Sequence, residues 1–114
     1  MGATYRALSQ YKTMWLFVCF DLPVGTKEQC HDAARFRKEL LKDGFSMLQF
    51  SVYIRPCPTH ESYQVHSKRI KGFVPPEGIV SIIRITDKQF GEIINLFGSK
   101  RKELPPSPIQ LELF

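Results

Sequence analysis

The stretch Met14-Trp15-Leu16-Phe17-Val18-Cys19-Phe20-Asp21 decides how the rest of the chain is read. From Trp15 to Phe20 every position is apolar, and the run stops at Asp21-Leu22-Pro23, so it reads as a central strand buried on both faces. Each face then needs a cover. Residues 1–13 before it are polar and mixed, and are expected to form an extension outside the core, either a product of start-site choice or a functional arm.

The covers come from the segments C-terminal to this strand. Thr26 is a good N-cap, and Cys30, Ala33, Ala34, Phe36, Leu40 and Leu41 recur at three- and four-residue spacing, which predicts a helix from Lys27 to Asp43 with Gly44 as its stop. From Phe45 to Arg55 the period becomes two. Leu48, Phe50, Val52 and Ile54 are expected to point one way, and Gln49, Ser51, Tyr53 and Arg55 to form a polar face. Pro56 and Pro58 end that strand. Thr59 caps a second helix with an inward stripe of Tyr63, His66, Ile70 and Phe73, closing near Gly72 and Pro75-Pro76. The β-branched run Ile79–Thr86 predicts a strand, Asp87–Phe90 a short turn or helical loop, and Ile93–Phe97 a further short strand.

This order predicts an α+β, ferredoxin-like βαββαβ sandwich over residues 14–97, an antiparallel sheet with two helices on one face. The other sheet face is left open, although the first strand is apolar on both sides. A second copy of the chain, packed through the sheets, is the simplest cover. Residues 98–114 suit a proline-rich, basic tether ending in an edge strand.

Sixteen Lys and Arg against eleven Asp and Glu give a net charge of +5. That charge doubles in a symmetric dimer and suits a polyanionic partner. Cys19, Cys30 and Cys57 form no CxxC, and His31, His60 and His66 are scattered, so no zinc spacing appears. Reduced thiols and a cytoplasmic location are expected. No apolar run approaches the roughly 20 residues that span a bilayer, and the start lacks the apolar centre of a signal peptide, so no membrane role is expected.

Several strings in sequence order resemble the CRISPR-associated protein two family, the small adaptation subunit of CRISPR loci, most closely its type II branch. They are Met14-Trp15 running into Phe20-Asp21-Leu22-Pro23, then Phe36-Arg37-Lys38, Leu41-Lys42-Asp43-Gly44-Phe45 and Gln49-Phe50-Ser51-Val52-Tyr53-Ile54-Arg55. To these are added Pro75-Pro76, Ile85-Thr86-Asp87-Lys88-Gln89-Phe90-Gly91 and Gln110-Leu111-Glu112-Leu113-Phe114. The resemblance implies a ferredoxin-like homodimer that bridges dimers of the CRISPR-associated integrase, holds a double-stranded DNA prespacer and serves spacer acquisition. It also implies a magnesium-dependent endonuclease acting on RNA or double-stranded DNA, dispensable for the scaffold role, with Asp21 matching the metal-ligand aspartate.

Asp21 stands where a buried strand gives way to a loop. Two copies of it brought together by a two-fold axis would share a Mg2+ ion, whereas a lone Asp21 would simply accept hydrogen bonds from the Asp-Leu-Pro turn. Arg35, Arg37, Lys38 and Lys42 on the first helix, with Lys68, Arg69 and Lys71 on the second, are candidate phosphate-binding ridges; a solvated helix face is the ordinary alternative. Arg55, with Ser51 and Tyr53, is a candidate to approach Asp21 or a phosphate. Leu111, Leu113 and Phe114 alternate as a strand that would add to a partner's sheet edge, or they end the chain in disorder. A non-catalytic ferredoxin-like RNA-binding or toxin-like regulatory module is the competing function.

Overall fold

Strand β1, Met14–Asp21, is hydrogen-bonded along both edges in the computed structural model, which describes residues 13–99. Antiparallel β3, Val52–Cys57, lies on one side of it and antiparallel β4, Ile79–Thr86, on the other. The short β2, Ser46–Gln49, pairs with β3 and completes a four-stranded sheet in the order β2-β3-β1-β4, as expected of a ferredoxin-like fold. Helix α1, Lys27–Lys42, and helix α2, His60–Lys71, cover one face, and a short helix α3, Asp87–Gly91, comes directly after β4.

Register assigns the faces, because residues directly opposite each other on neighbouring strands share one side of the sheet. Leu16, Val18 and Phe20 face the helices beside Arg55 and Tyr53 of β3. There they join Phe36 and Leu40 of α1 and Ile70 of α2 in the core. Phe36 is its centre. It meets Phe20 edge-on at 5.0 Å and Phe73 at 5.5 Å between ring centroids, both within the range of favourable aromatic pairs.

The helix ends obey the capping expected of the sequence. The Thr26 hydroxyl accepts from Gln29 N–H while the Gln29 side chain accepts from Thr26 N–H, a reciprocal capping box. Thr59 accepts from Ser62 N–H at the start of α2. Gly44 ends α1 at φ +88°, where any side chain would also run into the Arg55 guanidinium.

Three expectations need correction. The single strand expected over 45–55 is a hairpin, β2 and β3 joined by a tight turn at Phe50 and Ser51. That turn contains no glycine and no positive φ, so the usual sequence signal was missing. The polar face expected of this strand is also not solvated: Tyr53 is buried against the helices and Arg55 half-buried beside it, while Ile54 is buried on the opposite side. The strand expected at Ile93–Phe97 forms no ladder among the described residues, and Ile94 and Leu96 are 80% and 90% exposed. Apolar alternation alone does not make a strand, because backbone groups need a partner edge, and among the described residues this segment pairs with neither edge strand, β2 nor β4. The expected extension over 1–13, apart from Thr13, and the tail with Leu111, Leu113 and Phe114 lie outside the described residues.

The centrality of Phe36 yields a direct test. Phe36→Ala should cost about 3–5 kcal/mol of unfolding free energy in urea titrations. A loss below about 1 kcal/mol would show that the core is organised elsewhere.

Candidate functional site

The side of the sheet opposite the helices is apolar and ends in a carboxylate. Trp15, Phe17, Cys19 and Asp21 of β1 lie opposite Pro56, Ile54 and Val52 of β3, and opposite Ile85, Ile83, Ser81 and Ile79 of β4. One corner is covered by α3. Phe90 stacks on Trp15 at 3.8 Å and meets Phe17 edge-on at 6.2 Å, while Trp15 Nε1–H donates to Asp87 Oδ1 at 2.7 Å. The β4 side stays open, with Ile79 68% and Ile83 45% exposed. Ile79 and Ile83 flank Ser81 on this face, and exposed apolar side chains in one row suit contact with another surface.

Asp21 closes β1 at that face and is held by backbone on both sides. Phe20 N–H donates to Ser51 O at 3.0 Å, which fastens the strand end to the hairpin turn. Across β4, Gly78 sits at φ +103°, and a Cβ there would lie 2.7 Å from Asp21 O and 2.8 Å from Leu22 Cδ2. Only glycine lets β4 begin so close. The Asp21 side chain is exposed and accepts no hydrogen bond among the described residues, so it does not cap the Asp-Leu-Pro turn.

This geometry fits a hard cation in one respect and is incomplete in another. A fixed, solvent-facing carboxylate suits Mg2+, which keeps several waters and commonly takes one or two carboxylates plus substrate phosphates. Among the described residues no group of three or more His, Cys, Asp or Glu side chains is placed to hold a metal, so further ligands would come from water, substrate or a second copy. Cys19 lies on the same face, but burial pushes its thiol up from its ordinary value and keeps it neutral. Burial, outweighing a Ser62 contact and the nearby Arg55 charge, does the same to Cys57.

The basic candidates separate into distinct environments. Arg35, Lys38, Lys68 and Lys71 are exposed with no acidic partner among the described residues, and Lys42 reaches Glu39 only at 4.0 Å in an exposed pair. Arg37 is half-buried between the Phe20 and Phe50 rings. Arg55 departs most from expectation: its Nη1 donates to Asp43 O at 2.8 Å from the helix side of β3, so it caps α1 from within the fold. Arg69 Nη1 donates to Asp43 Oδ1 at 2.8 Å while keeping 59% of its side chain exposed.

Asp43 is the residue that sequence reasoning passed over. Its carboxylate, only 10% exposed, accepts from Arg69 through one oxygen and from His66 Nδ1 through the other at 2.7 Å. Its carbonyl accepts from Arg55. Asp43 therefore joins the end of α1 to α2 and β3 beside an open groove of about 400 Å³ lined by Glu39, Lys42, Arg69, Gly72 and Phe73. An Asp-Gly pair at a helix end is read as a stop, which is why the hub was missed; the buried imidazole on the α2 stripe was the available signal.

With this geometry in place, comparison with known proteins is decisive. A family model described as CRISPR associated protein Cas2 matches residues 14–93. The chain belongs to the Cas2 family. It is 47% identical over 110 residues to the CRISPR-associated endoribonuclease Cas2 of Flavobacterium psychrophilum, covering 96% of each chain. It is 48% identical over 101 residues to the protein of that name from Parvibaculum lavamentivorans, covering 89% of this chain and 100% of the relative. A crystal structure of a Cas2 protein aligns with a TM-score of 0.56 at 22% identity, over 82% of this chain and 95% of that one, which supports the shared fold. Among the described residues no helix is long and apolar enough to cross a membrane.

The Asp43 hub predicts that Asp43→Ala destabilises the fold by about 1–3 kcal/mol in chemical denaturation, because the buried His66 imidazole loses the acceptor that organises it. Arg69→Ala should cost clearly less, its side chain being largely in water.

Proposed function

We propose that this chain is a homodimeric CRISPR adaptation subunit whose paired Asp21 carboxylates serve a metal-dependent endonuclease. The observation that carries the reading is the exposed Asp21, without a side-chain partner among the described residues, at the end of the central strand on the apolar face that a second copy would cover. The relatives' shared name, CRISPR-associated endoribonuclease, supports phosphodiester cleavage as the activity and RNA as a substrate. In this reading Mg2+, when bound, neutralises phosphate charge and activates a water. The chain's own part is to fix two carboxylates rigidly, through the Ser51 and Gly78 backbone contacts that frame each strand end.

The second part of the proposal is scaffolding. Arg35, Lys38 and Lys42 on α1, with Lys68 and Lys71 on α2, supply exposed positive charge that would hold double-stranded DNA by its phosphates. The dimer would then bridge integrase dimers, with the tail around Leu111, Leu113 and Phe114 adding to a partner's sheet edge.

For the nuclease, Asp21→Ala should abolish Mg2+-dependent cleavage of single-stranded RNA and duplex DNA while unfolding stability stays within about 0.5 kcal/mol, since the exposed side chain has no partner among the described residues. In light scattering both proteins should have twice the 13.2 kDa chain mass. Full residual cleavage by Asp21→Ala would remove the assignment, and RNA binding without any cleavage by the wild type would favour the non-catalytic RNA-binding module.

For the scaffold, duplex affinity should fall by about three orders of magnitude between 50 and 200 mM salt if six or more phosphates are contacted. Deleting residues 104–114 should abolish co-purification with the integrase. A salt-independent affinity or an intact complex would each count against the corresponding role.

A further inference from the structure

In the hairpin turn that fastens the end of β1 the structure places an aromatic side chain that turn chemistry does not require. Phe50 occupies the two-residue turn between β2 and β3, where glycine, asparagine or aspartate are the usual choices, and it is 68% exposed. Arg37 of α1 lies over it, with Cζ 3.8 Å from the ring centroid, and its Nε–H donates to Phe50 O at 3.4 Å. The same guanidinium stands 5.2 Å from the Phe20 ring centroid. The cation is thus wedged between two rings, and its terminal amino groups meet no acceptor among the described residues.

This pair is coupled to the strand end that carries Asp21. Ser51, the other turn residue, accepts from Phe20 N–H at 3.0 Å, and Phe20 immediately precedes Asp21. The stack also belongs to the helix side of the sheet, since Arg37 reaches it from α1 past the ring of Phe20. A second copy packed on the opposite face leaves it uncovered.

We propose that Phe50 and Arg37 form a platform for one unpaired nucleotide of a single strand, on the helix side of the turn that fastens the end of β1. The open part of the Phe50 ring stacks the base, and the unspent amino groups of Arg37 hold its phosphate. Nucleobases offer a π-face whatever their identity, so the platform is tolerant of sequence and is closed to a base still paired within a duplex. This inference rests on the nuclease reading for its purpose, and not for the binding itself.

The test is binding of single-stranded RNA, single-stranded DNA of the same sequence, and blunt duplex DNA to the full chain without metal. Phe50→Ala should weaken binding of the single strands about ten-fold, corresponding to the loss of one stacked base, and leave duplex binding within about two-fold. Phe50→Trp should restore it, which separates stacking from any disturbance of the turn. Arg37→Lys, which keeps the charge and loses the planar fork, should also weaken the single strands. A 2-aminopurine in the oligonucleotide should be quenched by the wild type and by Phe50→Trp only. A larger loss for RNA than for DNA identifies RNA as the strand recognised; equal losses identify base stacking without sugar selection. Unchanged single-strand affinity in Phe50→Ala, or an equal loss for single strands and duplex, overturns the proposal. If Asp21→Ala abolishes cleavage and Phe50→Ala changes no affinity, only the platform falls. If the wild type never cleaves while Phe50 controls single-strand binding, only the nuclease reading falls.

Discussion

β1 has no free edge and no polar face until its last residue. Its backbone is paired with β3 and β4 over nearly its full length, so each of its side chains is committed to one side of the sheet by ladders on both flanks. A shift of one residue would exchange Leu16, Val18 and Phe20 for Trp15, Phe17 and Cys19 against the helices and bury the Asp21 carboxylate. The cost of that slip is what fixes the register. Because Asp21 is the terminal residue of this doubly constrained strand, its position is determined by the packing of the whole core.

Charge is distributed according to the same division. Where positive groups lie near helix ends they are spent on structure: the half-buried Arg55 holds the Asp43 carbonyl, and the largely exposed Arg69 its carboxylate beside His66. Where they project from helix surfaces, as Arg35, Lys38, Lys68 and Lys71 do, no acidic partner among the described residues competes for them. A phosphate near such exposed groups meets cations that need not break an internal bond first, whereas recruiting Arg55 would uncap α1.

Much of this architecture was legible in the residues. The apolar run at 15–20, the two threonine caps and Gly44 each state a local preference that tertiary packing agrees with, so strand, helices and stop appear where expected. The hairpin was illegible because Phe50 and Ser51 include no glycine, asparagine or aspartate of the kind two-residue hairpins favour, and period-two alternation runs straight through them. Ile93–Phe97 misled for the opposite reason: its pattern suits a strand, but pairing depends on an edge that sequence does not display. At the site, Asp21 was visible as a carboxylate ending an apolar run. The Asp43 hub and the Arg37–Phe50 stack were not, since both depend on side chains brought together from separate elements of the fold.

The chain contains a single tryptophan, and its location has a practical consequence. Trp15 is held at the corner where α3 meets the sheet, its indole N–H tied to Asp87 and its ring lying parallel to that of Phe90. Its emission is therefore an intrinsic gauge of that corner alone: undocking of α3, or the arrival of another surface against β1, changes the solvation of one chromophore with no competing indole elsewhere in the molecule. The sheet face opposite the two long helices thus carries its own optical label.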